Sequence, residues 1–85
     1  MKEFRYVIQD EDGIHARPAG FLAQEAQKHA SEITISKTGK TGNAKKLFSV
    51  MSLAAKKGEE VTVKVEGPDE EQAFESIQSF FKTNL

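Results

Sequence analysis

The 85-residue sequence contains neither cysteine nor tryptophan. Without thiols it can form no disulfide and no thiolate metal site, so a chain near the lower size limit for a self-sufficient core must be held by helices packed on a sheet. Proline is scarce too, with only Pro18 and Pro68 interrupting the chain. No apolar run is long enough to span a bilayer, and Met1-Lys2-Glu3-Phe4-Arg5 lacks the pattern of a secretory signal. There are no repeats, linkers or low-complexity tracts. These absences lead to the expectation of one cytoplasmic domain over residues 1–85, with no membrane insertion.

The formal net charge is only −1, but it is unevenly spread. From Ile33 to Gly58 there are six lysines (Lys37, Lys40, Lys45, Lys46, Lys56 and Lys57) and no carboxylate, and the chain beyond is acidic. A basic face of this kind can steer an acidic partner. It lacks the interleaved aromatics or helix-turn-helix spacing of a nucleic-acid reader, and no nucleic-acid partner is expected.

Hydrophobic periodicity gives the elements. Phe4, Tyr6 and Ile8 alternate with Arg5, Val7 and Gln9 in a first strand, Ile33 and Ile35 with Thr34 and Ser36 in a second, and Val61, Val63 and Val65 with Thr62, Lys64 and Glu66 in a fourth. A short third strand, about Lys40 to Asn43, follows the Thr38-Gly39 turn. Ala19, Leu22, Ala23, Ala26 and Ala30 recur at helical spacing, as do Ala73, Phe74, Ile77, Phe80 and Phe81. Ala44 to Ala55 reads as a shorter helix, stopped by Lys56-Lys57-Gly58 with glycine as a left-handed cap. Asp69, with Gln72 three residues on, gives the last helix a capping-box-like start. The order is strand, helix, strand, strand, helix, strand, helix (βαββαβα), with one buried sheet face: a two-layer α+β domain with its helices on one side.

Two metal or nucleotide readings fail. Asp10-Glu11-Asp12-Gly13 has no ligands continuing at the alternate positions a calcium loop needs, so it reads as a turn and no metal is expected. Gly39-Lys40-Thr41 matches the end of a P-loop, but the required first glycine falls at Thr34 inside a strand. No cofactor is expected.

The chemistry concentrates in Gly13-Ile14-His15-Ala16-Arg17-Pro18-Ala19. Pro18 fits only in the first turn of a helix, which puts an imidazole and a guanidinium at a helix entrance. The residue before a proline is biased away from helical geometry, which leaves either His15 or Arg17 as the cap. In both cases the usual Ser, Thr, Asp or Asn cap oxygen is missing, and the first-turn amides are without a partner. A phosphoryl group bonded to His15 would bring its oxygens to the amides of Ala16 and Arg17, with the Arg17 guanidinium forked onto the same group. His15 is thus the candidate nucleophile. His29, near the other end of the helix, is assigned no chemistry. Phe21 falls off the buried stripe, and Leu47, Phe48 and Met51 exceed what one helix face can bury, so these four are candidates for an exposed apolar patch.

The string Gly13 to Ala19 closely resembles the active-site signature of the HPr family, the histidine-containing phosphocarriers of the bacterial phosphoenolpyruvate-dependent sugar phosphotransferase system. The resemblance extends over essentially the whole chain, with Asn43-Ala44-Lys45 leading into the short helix. It implies an open-faced sandwich with a four-stranded antiparallel sheet and three helices on one face. It also implies a carrier rather than an enzyme: enzyme I phosphorylates His15 on Nδ1, and the group passes to sugar-specific enzyme IIA domains. The expected partner surface is Phe21, Leu47, Phe48 and Met51, with Lys45 and Lys46 steering, on a monomer. In many family members a regulatory serine, target of a dedicated kinase, opens the short helix; Lys46 stands there in this sequence, so that switch is expected to be missing.

Overall fold

A computed structural model describes residues 1–85. The alternating Val, Ile and Phe segments form β1 (Lys2–Val7), β2 (Glu32–Lys37) and β4 (Glu60–Glu66), the short polar segment after the Thr38-Gly39 turn forms β3 (Lys40–Asn43), and the helical segments form α1 (Ala16–Gln27), α2 (Leu47–Met51) and α3 (Glu70–Asn84). The sheet has the order β1-β4-β2-β3, and every pair is antiparallel. Phe4 lies opposite Val63, which lies opposite Ile35, so one apolar row crosses three strands. Because side chains alternate along a strand, this register places Phe4, Ile33, Ile35, Val61, Val63 and Val65 in one core and leaves Glu3, Arg5 and Lys64 on the open face. The expected α+β sandwich is therefore the observed one.

The helices complete the core from the other side. Leu22, Ala23 and Ala26 of α1 are buried with Ile77 and Phe81 of α3, and the small alanines let α1 lie close to the other two helices. Aromatic rings tie α3 to β1: Phe4 meets Phe74 and Phe81 edge-on at centroid distances of 5.5 and 5.6 Å, and Tyr6 meets Phe81 at 5.5 Å. Pairs of this geometry contribute about 0.5–1.5 kcal/mol each beyond their buried area. No helix is long and apolar enough to cross a membrane.

Four local expectations are corrected. The helix expected over Ala44–Ala55 is only Leu47–Met51. Asn43 turns the chain before it, its side-chain oxygen taking the Lys45 amide and its carbonyl the Lys46 amide, and tighter i to i−3 bonds from Leu53 and Ala54 end it. The residue in the left-handed region after α2 is Ala54 (φ 51°), whereas Gly58 (φ 88°) belongs to the next turn, where its amide donates to Ile8. Ala30 lies beyond α1 and is exposed, since the helix ends at Gln27. Asp69 does precede α3, but its carboxylate does not cap that helix; it accepts from the amides of Ala30 and Ser31 and from the Ser31 hydroxyl. Long-range partners took the oxygen that the local pattern assigned to the helix.

Candidate functional site

The loop between β1 and α1 is braced from behind. Gly13 adopts φ 67°, and a Cβ there would come within 2.2 Å of the Ala55 carbonyl oxygen, so only glycine fits both the angle and the space. The next residue, Ile14, is buried and donates its amide to that same carbonyl at 2.9 Å. His15 follows immediately, and its backbone is therefore set by a buried neighbour.

His15 is the cap of α1, with extended backbone (φ −104°, ψ −174°) and no capping bond from its side chain. This resolves the choice between His15 and Arg17. The His15 carbonyl accepts the Ala19 amide at 3.0 Å, which begins the helix, and Pro18 occupies the third helical position, where a missing N–H costs no intrahelical bond. The amides of Ala16 and Arg17 have no acceptor in the chain, and both residues are exposed. The half-buried imidazole stands beside them. The Arg17 guanidinium makes no ion pair and no side-chain hydrogen bond.

Together His15 and Arg17 line a shallow cleft of about 340 Å³ with Asp10, Asp12, Pro18, Phe21 and Asn84. The far wall is fixed because the Leu85 main-chain oxygen accepts the amides of Gln9 and Asp10, bringing the end of α3 against the loop. Sequence reasoning took Asp10 and Asp12 only as turn residues. In the fold, a carboxylate oxygen from each lies with a His15 ring nitrogen within a span of 4.8 Å. The only advance signal was their nearness in sequence, and the turn geometry, with the Asp12 amide on Asp10 Oδ1 at 2.8 Å, decides the rest. These carboxylates share the cleft with His15 and Arg17, so it carries charges of both signs close to the imidazole.

The candidate partner residues divide. Phe48 is 80 % exposed and Phe21 54 %, large values for phenylalanine. Leu47 and Met51 are half-buried and pack against the core. α1 and α2 lie side by side, which sets these four residues on adjoining helices. Lys46 is exposed at the start of α2. Lys45 is different: its ammonium donates to the His29 carbonyl at 2.7 Å, and its own carbonyl accepts from the Gln27 side chain. Its ammonium is tied at the C-terminal end of α1, about 18 Å along a 12-residue helix from His15, and keeps its charge there because its partner is a neutral carbonyl.

The chain has counterparts among known proteins. A family model described as the PTS HPr component phosphorylation site matches residues 2–83. The phosphocarrier protein HPr of Mycoplasma capricolum is 45 % identical over 78 residues, covering 92 % of this chain and 88 % of that protein. HPr of Mycoplasma genitalium is 42 % identical over 85 residues, covering 99 % and 97 %. The solved structure of a mycoplasma histidine-containing phosphocarrier protein superposes with a TM-score of 0.90 at 43 % identity, covering 93 % of this chain and 90 % of that one. For HPr from Thermoanaerobacter tengcongensis the TM-score is 0.92 at 37 % identity, with 98 % and 93 % covered. The fold, the open helix end and the matches over almost the full length lead to one conclusion: the chain belongs to the HPr family of phosphocarrier proteins.

Proposed function

We propose that this chain carries phosphoryl groups in the sugar phosphotransferase system on His15, accepting them from enzyme I and passing them to enzyme IIA domains. The observation that carries the reading is the pair of open amides, Ala16 and Arg17, beside a half-buried imidazole and an unpaired guanidinium. Preorganised donors of this kind stabilise the charge on a phosphoryl group in flight without any reorganisation at the moment of transfer.

In the forward step a lone pair on the His15 ring attacks phosphorus, one P–N bond forms, and the bond to the donor's nitrogen breaks with its electron pair returning to the donor. The phosphoryl oxygens then take the two amides and Arg17. The same contacts leave the group open to solvent and to the next acceptor, because the cleft is shallow. Phe21 and Phe48, flanked by Leu47 and Met51 and approached past Lys46, form the apolar contact that excludes water during transfer. Asp10 and Asp12, close to the same ring, repel the arriving anion, and the two amides and Arg17 are the groups that offset that repulsion.

Lys46 has no hydroxyl to phosphorylate, so the chain lacks the serine switch at that position; incubation with a competent HPr kinase and ATP gives no stoichiometric phosphoserine. The protein acts in the cytoplasm as a monomer in this reading. The central test is incubation with enzyme I and phosphoenolpyruvate. The parent acquires one acid-labile, alkali-stable phosphate and His15→Ala acquires none; a phosphate that persists in His15→Ala removes the assignment.

A further inference from the structure

Lys37 stands in the basic stretch between Ile33 and Gly58, yet its side chain is only 14 % exposed. Its ammonium donates at 3.1 Å to the carbonyl of Ala54 and at 3.1 Å to Glu59 Oε1. The same Glu59 oxygen accepts the Lys56 amide at 2.7 Å. One largely covered cation and one carboxylate thus grip both ends of the turn from Ala54 to Lys56. Ala54 needs such a grip, because at φ 51° an L residue crowds its Cβ against the following carbonyl and relaxes elsewhere if released. Glu59 is held below the usual carboxylate range, first by the Lys56 amide and then by Lys37.

What this turn supports is the His15 loop. Ala55, the next residue, presents the carbonyl that receives the Ile14 amide and against which Gly13 is packed without room for a Cβ. Two more bonds join the same segments, from the Ile8 amide to the Glu59 carbonyl at 3.0 Å and from the Gly58 amide to the Ile8 carbonyl at 2.9 Å. A displacement of Ala54 therefore passes through Ala55 to Ile14, and the residue after Ile14 is His15. We propose that Lys37, paired with Glu59, is a positioning residue for phosphoryl transfer: it clamps the left-handed Ala54 so that the Ala55 carbonyl holds the loop presenting His15. The role in transfer rests on the reading of His15 as the acceptor; the clamp itself does not.

The test is Lys37→Met, which keeps an apolar stem and deletes the ammonium, measured in two ways. Amide exchange of Ile14 should quicken by about tenfold, the local opening expected on loss of a charge-assisted hydrogen bond, while exchange of the central-strand amide of Val63 stays as in the parent. Phosphorylation by enzyme I should show kcat lowered about three- to tenfold with KM changed less than about twofold, since the docking helices are untouched. Adding Ala54→Gly to Lys37→Met should restore most of the lost kcat, because glycine takes a positive φ without a clamp. Unchanged Ile14 exchange overturns the clamp. Faster exchange with unchanged kcat, or a kcat that glycine does not restore, overturns the positioning role. Phosphate persisting on His15→Ala would remove the acceptor assignment alone, with Ile14 exchange still deciding the clamp.

Discussion

Asp69 turns its carboxylate away from the helix it precedes and onto Ser31, 38 residues earlier, taking both the amide of Ser31 at 2.9 Å and its hydroxyl on one oxygen. The other oxygen takes the Ala30 amide at 3.0 Å. This joins the segment after α1 to the start of α3. His29 lies beside it, buried but for 9 % of its side chain, with Nδ1 3.6 Å from Asp69 and Nε2 3.9 Å from Glu25.

The acid limb of stability follows from that contact. The Ser31 hydroxyl first, then the Ala30 and Ser31 amides, lower the Asp69 carboxyl from 3.8 to about 2. A group whose folded value is depressed stabilises the fold fully above its unfolded value and loses that contribution as pH falls through the folded one. Melting temperature should therefore drop between pH 3.8 and about 2, and Asp69→Asn should flatten that part of the profile. An unaltered acid limb in Asp69→Asn would count against this assignment.

Arg17 is exposed and free of other partners, so its loss should be read in transfer and not in folding. Arg17→Ala is expected to slow phosphorylation about 10²- to 10³-fold, the usual cost of removing one donor to a developing charge. Its unfolding free energy should stay within about 0.5 kcal/mol of the parent. Urea titration and single-turnover kinetics on the same preparation separate the two.

Gly13→Ala should damage both. The new methyl meets the Ala55 carbonyl in a backbone region hostile to L residues, and strain plus overpacking come to about 2–5 kcal/mol. Chemical denaturation should show the loss, and transfer to His15 should slow in the fraction that remains folded.

Phe48→Ser and Phe81→Ala form a contrasting pair. Phe48 is largely in solvent, so its replacement should leave stability within about 0.5 kcal/mol while raising KM for enzyme I about tenfold, as an exposed aromatic anchor would. Phe81 is fully buried between Phe4 and Tyr6, and its truncation should cost about 3–5 kcal/mol, comparable with much of a small domain's total stability. A stability loss of that size in Phe48→Ser would show that the ring is core and not docking surface.

Much of this was legible in one dimension because period-2 and period-3.6 patterns report which face of an element is dry. Val61, Val63 and Val65, Phe4, and the Ala19-Leu22-Ala23-Ala26 stripe all fell on the buried side. The pattern failed where apolar residues served two surfaces. From Leu47 to Ala55 the chain is apolar enough for a long helix, yet Phe48 goes to solvent, Leu53 and Ala55 to the core, and Ala54 turns the backbone. Lys37 and Lys45, equivalent to any surface lysine by composition, proved to be internal ties.

By itself the sequence determined the element order, the dry faces and the placing of an imidazole and a guanidinium at a helix start, since these depend on neighbours within a turn or two of chain. Only the tertiary structure decided the strand order β1-β4-β2-β3, the gathering of Asp10, Asp12 and Asn84 around His15, and the commitment of Asp69 to Ser31. Those choices are made between groups distant in the chain that compete for the same donors and acceptors, and a polar atom's final partner is settled by which one burial brings within reach.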